Sequence, residues 1–255
     1  MSYGSIPLGT AAPASLRAAL DQGALVGTFQ LIGHTTVTEA LVYAGADAIV
    51  VDAEHAALDL TTIEQLVRAG SGRVIVRVPE ISSAISRSLD TGAAGIVVPH
   101  VESAAQAVAL VDAVRFPPLG SRGIGAARAA QYGFGMADYL ATANDSLLAI
   151  AMVETREGLE RVDEIAAVDG LDLIFIGPTD LAASLGTAAG SAEHRAAIGR
   201  IIEATLAAGK HVGIHCADAA QAAEYEASGV RLLLVSTDVA FLASTANTSF
   251  TDSRR

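Results

Sequence analysis

At 255 residues, with 51% hydrophobic and 17% charged content, the chain can bury one large core, and polar residues interrupt it too often for it to span a membrane. A net charge of −12 and the absence of tryptophan exclude a nucleic-acid binder, because phosphate neutralisation needs clustered Lys/Arg and single-strand stacking needs aromatics. The opening MSYGSIPLGT has neither a basic nor an apolar targeting region, and the lone Cys216 suits a reducing compartment, so a cytoplasmic protein is expected.

Short apolar, β-branched runs recur along the chain: residues 24–30, 46–52, 73–78, 94–99, 147–154, 171–177, 211–216 and 230–236. Near-continuous apolarity, as in ADAIVVD or LDLIFIG, marks strands buried on both faces, and the Ala-rich segments between them carry helical spacing. The order is strand, helix, strand, helix throughout, which predicts an α/β protein, a (βα)8 TIM barrel forming a single domain over residues 1–255. One connection, residues 116–146, exceeds an ordinary loop; it is expected as an insertion at the active-site rim, a lid or subunit contact, with Arg122 and Arg128 in it and Arg115 at its start.

Catalytic groups of such barrels project from the C-terminal ends of strands. Strand two ends in Asp52, Ala53, Glu54 and His55, strand three in Arg77, strand four in Pro99 and His100, strand five in Glu154, strand six in Gly177, Pro178, Thr179 and Asp180, and strand seven in His215. Glu154 and Asp180 end adjacent apolar strands, where acids persist only if paired or coordinating, and two carboxylates with water make an open oxygen site for Mg2+ or Mn2+. The competing reading is two ordinary helix-capping acids. Asp52 and His55 read either as a carboxylate-oriented general base or as a cap beside a packed ring. Arg77, closing an apolar strand, requires an anionic partner, which a developing enolate would supply.

Lys210, the one lysine of the chain, precedes strand seven and so falls at the N-terminal face, away from any carbinolamine; Schiff-base chemistry is not expected. No P-loop, Rossmann fingerprint, G-x-S-x-G or H-E-x-x-H occurs, so neither a nucleotide nor a serine- or zinc-hydrolase mechanism is expected. The turns after strands seven and eight lack a Gly-rich phosphate site.

At these residues the sequence resembles the HpcH/HpaI family of class II, metal-dependent pyruvate aldolases. The likeness covers essentially the whole chain and rests on VDAEHA at 51–56, VRVPE at 76–80, LDTGAAGIVVPHVES at 89–103, RFPPLGSRGIG at 115–125, RAAQYG at 128–133, VETREGL at 153–159 and FIGPTDLAASLG at 175–186.

The resemblance implies an aldehyde-lyase that cleaves 4-hydroxy-2-oxo acids, such as a 4-hydroxy-2-oxoheptanedioate, to pyruvate and an aldehyde through an enolate that a divalent ion (Mg2+, Mn2+ or Co2+) stabilises. It implies Glu154 and Asp180 as metal ligands, Asp52 and His55 as the base assembly, and Arg77 as the group on the pyruvate oxygen. The substrate carboxylate falls on backbone amides around Gly177, Thr179 and Asp180, with Pro178 also among the substrate-binding residues. Asp90 matches an acid that reaches a neighbouring subunit's site, and Arg122 is placed among the substrate-binding residues. The assembly implied is a homohexamer, a trimer of dimers, whose last helix is exchanged between partners. Ala53 replaces a family glycine. Phe29 stands for a tryptophan, Met152 for a glutamine and His215 for an aliphatic residue. These three approach the substrate cavity and bear on the aldehyde and on whether hydroxypyruvate replaces pyruvate. The alternatives are a citrate-lyase-type or malyl-CoA-type enzyme, which needs a thioester carrier, and a non-catalytic barrel.

Overall fold

A computed structural model describes residues 15–253. The stretch Met1–Thr10, read above for targeting, and the outer ends of the 1–255 domain lie outside the described residues. In chain order the elements are α1 (Leu16–Leu20), β1 (Leu25–Gln30), α2 (Thr35–Tyr43), β2 (Ala48–Asp52), α3 (Leu60–Ala69), β3 (Val74–Arg77), α4 (Ser83–Asp90), β4 (Gly95–Val98) and α5 (Ala104–Val114). A tight 3-10 segment (Arg128–Gly133) follows, then α6 (Met136–Ser146), β5 (Leu148–Val153), α7 (Arg156–Glu160), α8 (Val162–Ala166), β6 (Leu173–Ile176) and α9 (Pro178–Leu185). The chain finishes with α10 (Ala192–Ala207), β7 (His211–Cys216), α11 (Ala219–Ala227), β8 (Leu232–Thr237) and α12 (Asp238–Asp252).

All eight strands pair in parallel and close on themselves in sequence order, β8 returning to β1. Each apolar run of the sequence holds one of them, β8 running one residue past its run, to Thr237. The period of two within each run sorts side chains to two sides of the sheet. Leu25, Phe29, Ala48, Val50, Ile75, Val97, Leu148, Ile150, Leu173, Phe175, Leu232 and Leu234 fill the barrel interior, together with Leu16 and Leu20 of α1, which plug its N-terminal end. Ile49, Val51, Val74, Val76, Ile96, Val98, Ile174, Ile176, Val212 and Ile214 face outward and pack under the helices. Ser103, Thr155 and Asp218 each accept a main-chain N–H of the helix that follows them, a cap worth about 1 kcal/mol apiece.

The insertion at 116–146 does not lie at the active-site rim of its own barrel. It joins the end of α5 to the start of β5, which makes it a helix-to-strand connection at the N-terminal face. Arg128 donates to the Thr91 carbonyl ahead of β4 at 2.6 Å, and Ser15 beside α1 donates to the Ser146 carbonyl at 3.2 Å. Asp172 ties the same face together: its carboxylate takes Arg115 at 2.5 Å, Arg17 at 2.8 Å and the Ala149 N–H at 2.7 Å. Lys210 sits there too, immediately before β7. Among the described residues no helix is long and apolar enough to cross a membrane.

Candidate active site

The same parity that buries Val50 and Ile150 inside the barrel carries Asp52, Arg77, Glu154, Gly177 and His215 inward at the C-terminal ends of their strands. There they line a cavity of about 220 Å3 with Phe29, Leu31, His55, Met152, Phe175, Pro178, Thr179, Asp180 and Thr237.

Arg77 is the hub. Its Nε donates to Asp52 Oδ1 at 3.0 Å and its Nη2 to Asp52 Oδ2 at 2.7 Å, a two-pronged pair that only a guanidinium forms. Nη1 is left beside the Met152 sulfur at 4.0 Å, facing the cavity these residues line. The anionic partner expected for Arg77 is therefore supplied by the protein itself. Burial pushes the Asp52 carboxyl up, but the hydrogen bonds and charge of Arg77, with the N–H groups of His55 and Glu54, outweigh it and hold the group below its ordinary value. Those N–H bonds, 3.2 Å and 3.1 Å to Oδ1, correct the expected Asp52–His55 dyad: the carboxylate holds the main chain of His55, not its ring. The acid beside the His55 ring is Glu54, 3.7 Å from Nε2.

Glu54, one of the strand-end rim residues of the sequence, was assigned no role there. Its Oε2 is buried without a hydrogen bond, lying 3.2 Å from Arg77 Nε while that N–H points to Asp52. Its Oε1 lies 4.0 Å from His100 Nε2. His100 takes a left-handed backbone (φ 50°), unusual for a side-chain-bearing residue, and its N–H donates to Glu154 Oε1 at 3.0 Å. His194 was missed: buried at the start of α10, it accepts the Gly190 N–H at Nδ1 and donates from Nε2 to the Pro178 carbonyl at 2.7 Å, pinning the first residue of α9. Glu54 and His100 stood out in the sequence as strand-end residues without an assigned role, whereas His194 did not.

Glu154 is 3% exposed. Burial raises its carboxyl above the ordinary range, and the charges of Asp180 and Glu54 raise it further, against the His100 N–H and ring. A Cβ on Gly177 would fall 2.3 Å from Glu154 Oε2, so the carboxylate occupies space that only glycine leaves open. Two carboxylates, one desolvated and both repelling, fit a hard divalent cation. Among the described residues no group of three or more His, Cys, Asp or Glu is arranged around one point, so water or substrate oxygens would complete the shell. Asp180 lies in the first turn of α9, whose N-cap Gly177 offers no side chain to the free N–H groups there.

Two expected residues are elsewhere. Asp90, the last residue of α4, and Arg122, in the insertion, pair at 2.7 Å near the N-terminal face, with the guanidinium 4.5 Å above the Phe116 ring and hydrogen-bonded to Tyr139. Neither lines this chain's own cavity, because each belongs to a segment that precedes a strand instead of following one.

Over residues 26–241 the chain matches the family model HpcH/HpaI aldolase/citrate lyase. It is 40% identical over 242 residues to a hydroxypyruvate/pyruvate aldolase of Roseovarius nubinhibens, across 91% of this chain and 93% of that one. It is 37% identical over 227 residues to a 4-hydroxy-2-oxovalerate aldolase of Novosphingobium aromaticivorans, across 86% of each. The crystal structure of an HpcH/HpaI aldolase/citrate lyase family protein from Burkholderia cenocepacia superposes with a TM-score of 0.87 at 36% identity, covering 94% of this chain and 99% of that one.

Proposed function

Because the chain belongs to the HpcH/HpaI aldolase/citrate lyase family and is a class II pyruvate-type aldolase, we propose that it reversibly cleaves 4-hydroxy-2-oxo acids to pyruvate or hydroxypyruvate and an aldehyde. The observation that carries this reading is the desolvated Glu154, within reach of the Asp180 charge, lining one cavity with Asp180 and Arg77. Glu154 and Asp180 would hold the divalent ion, Mg2+, Mn2+ or Co2+. When bound, such an ion polarises the 2-oxo group and makes the neighbouring C–H more acidic.

The chain's own groups do the rest. The N–H groups at the start of α9, around Thr179 and Asp180, receive the substrate carboxylate. Arg77, with two donors committed to Asp52, turns Nη1 toward the oxygen on which negative charge develops. A preorganised charged donor in a partly desolvated site is worth several kcal/mol there. His55, its ring beside Glu54, moves the proton at C3 of pyruvate, and Asp52 holds its main chain in place. In the addition direction C3 loses a proton to His55 by way of water, forms a bond to the aldehyde carbon, and the new alkoxide takes up a proton. Cleavage runs the same steps backward. The assembly proposed is a homohexamer with α12 exchanged between partners, supported by the exposed apolar side chains of Phe241, Leu242 and Phe250 on that helix. Asp90, with Arg122, would then act at a neighbour's site.

A chelator should abolish pyruvate release and added Mg2+ or Mn2+ should restore it. In deuterated water the loaded enzyme should exchange the methyl protons of pyruvate without any aldehyde. Borohydride with pyruvate should leave Lys210 unmodified. Activity that survives thorough chelation, or an adduct on Lys210, would overturn the reading.

A further inference from the structure

The cavity has two unlike walls. Asp52, Arg77, Glu154 and Asp180 form the charged one; β7, β8 and β1 form the other from Phe29, Leu31, His215 and Thr237. His215 is the one ring on that wall with a nitrogen to offer. It packs beside Phe29, with ring centroids 6.0 Å apart, and Phe29 in turn meets Phe175 edge-on at 5.9 Å.

The backbone fixes which nitrogen of His215 carries the proton. Nε2 lies 3.3 Å from the Ser236 carbonyl, and a carbonyl only accepts, so Nε2 is the N–H and Nδ1 keeps its lone pair. That carbonyl is held in place by an irregularity in the sheet. The register of β8 on β1 shifts between Gly27↔Leu234 and Phe29↔Thr237, Ser236 takes a left-handed φ of 55°, and the Thr28 hydroxyl donates to the same oxygen at 3.1 Å. Burial, together with the nearby Arg77 charge, holds the imidazole below its ordinary value despite the Ser236 bond, which keeps it neutral near pH 7. Among the described residues no protein donor reaches Nδ1. The cation nearest this wall, Arg77, is already engaged by Asp52 and Glu54.

Resting on the aldolase reading above, we propose that His215 is a specificity-determining residue: its Nδ1 accepts a hydrogen bond from an aliphatic hydroxyl of the substrate, so the site selects hydroxylated over deoxy compounds. The hydroxyl belongs either to the donor, as in hydroxypyruvate, or to the acceptor, as in a 2-hydroxyaldehyde. Both sources present the same group to the same nitrogen.

The test measures kcat/KM ratios within each protein for wild type, His215→Leu, His215→Phe and His215→Gln. One arm compares hydroxypyruvate with pyruvate as donor to propanal; the other compares glycolaldehyde with acetaldehyde as acceptor for pyruvate. The ratio of hydroxylated to deoxy substrate should fall about tenfold in one arm for the Leu and Phe variants, the scale of one hydrogen bond. It should stay within about threefold of wild type in the Gln variant, whose amide can both donate and accept. General losses of turnover cancel in a ratio, and the Phe variant keeps a ring against Phe29 if the Leu variant does not fold. Unchanged ratios in both arms, or a wild type that favours the deoxy compound in both, would overturn the assignment. Deuterium exchange of pyruvate by the wild type separates the two failures: without exchange the aldolase reading falls, whereas exchange with unchanged ratios removes only the role of His215.

Discussion

Arg77 donates to Asp52 from two nitrogens and turns the third toward the cavity, so one side chain is both a fold contact and a reaction contact. Arg77→Lys keeps the charge and loses the fork. The expected cost at the transition state is about 2–4 kcal/mol, a hundredfold or greater fall in kcat/KM for pyruvate release. Because Asp52 is buried, the melting temperature should fall as well; a near-wild-type rate with a lowered melting temperature would leave Arg77 a purely structural partner. Asp52 also predicts an acid response. A carboxyl held below its unfolded value adds stability above the ordinary carboxylate range, and that stability is lost as the pH falls through the depressed value. Urea midpoints should therefore drop below about pH 4, and Asp52→Asn should flatten that drop. An equally steep fall in the variant would count against it. At this scale the sequence announced positions better than partners. The strand-end turn at 52–55 stood out, but nothing in D-A-E-H says that Asp52 binds the main chain of His55 while Glu54 lies beside its ring.

Strands were the most legible elements, since burial on both faces leaves an apolar run that helices here do not imitate, and the period of two then told which strand-end residue points inward. Helix caps such as Ser103 and Asp218 were equally local. The insertion was misplaced although its order was visible: it follows α5 and precedes β5, and that order alone assigns it to the N-terminal face. The shift of β8 on β1 had no local signal, so Thr237 and Leu31 were missed as lining residues. At the junction of β6 and α9, Gly177 leaves room for Glu154, and Gly177→Ala would place a Cβ 2.3 Å from Oε2 and 2.9 Å from the Glu154 Cβ. The substitution should weaken Mn2+ binding about tenfold or more with the fold retained, as outer-sphere changes at metal sites do. Calorimetric titration of the metal-stripped protein checks this, and an unaltered affinity would mean that Glu154 is free to move aside.

The whole barrel leaves α12 lying along β1 and β8 with Val239, Phe241, Leu242 and Phe250 exposed, an apolar set that a monomer in water would not keep bare. Leu242→Asp combined with Phe250→Asp should shift the sedimenting species to a smaller mass than that of the unaltered chain. Equal masses would sink the proposed exchange of this helix. The N-terminal face carries a different consequence. The one lysine, Lys210, lies at the plugged end of the barrel, beside Asp172 and His211, with the substrate mouth at the opposite end. Amine-directed coupling thus has a single side-chain anchor on each protomer. A protomer coupled at that lysine is tethered by the end opposite its substrate mouth, so attachment there leaves the opening clear, which random attachment to a lysine-rich enzyme does not ensure.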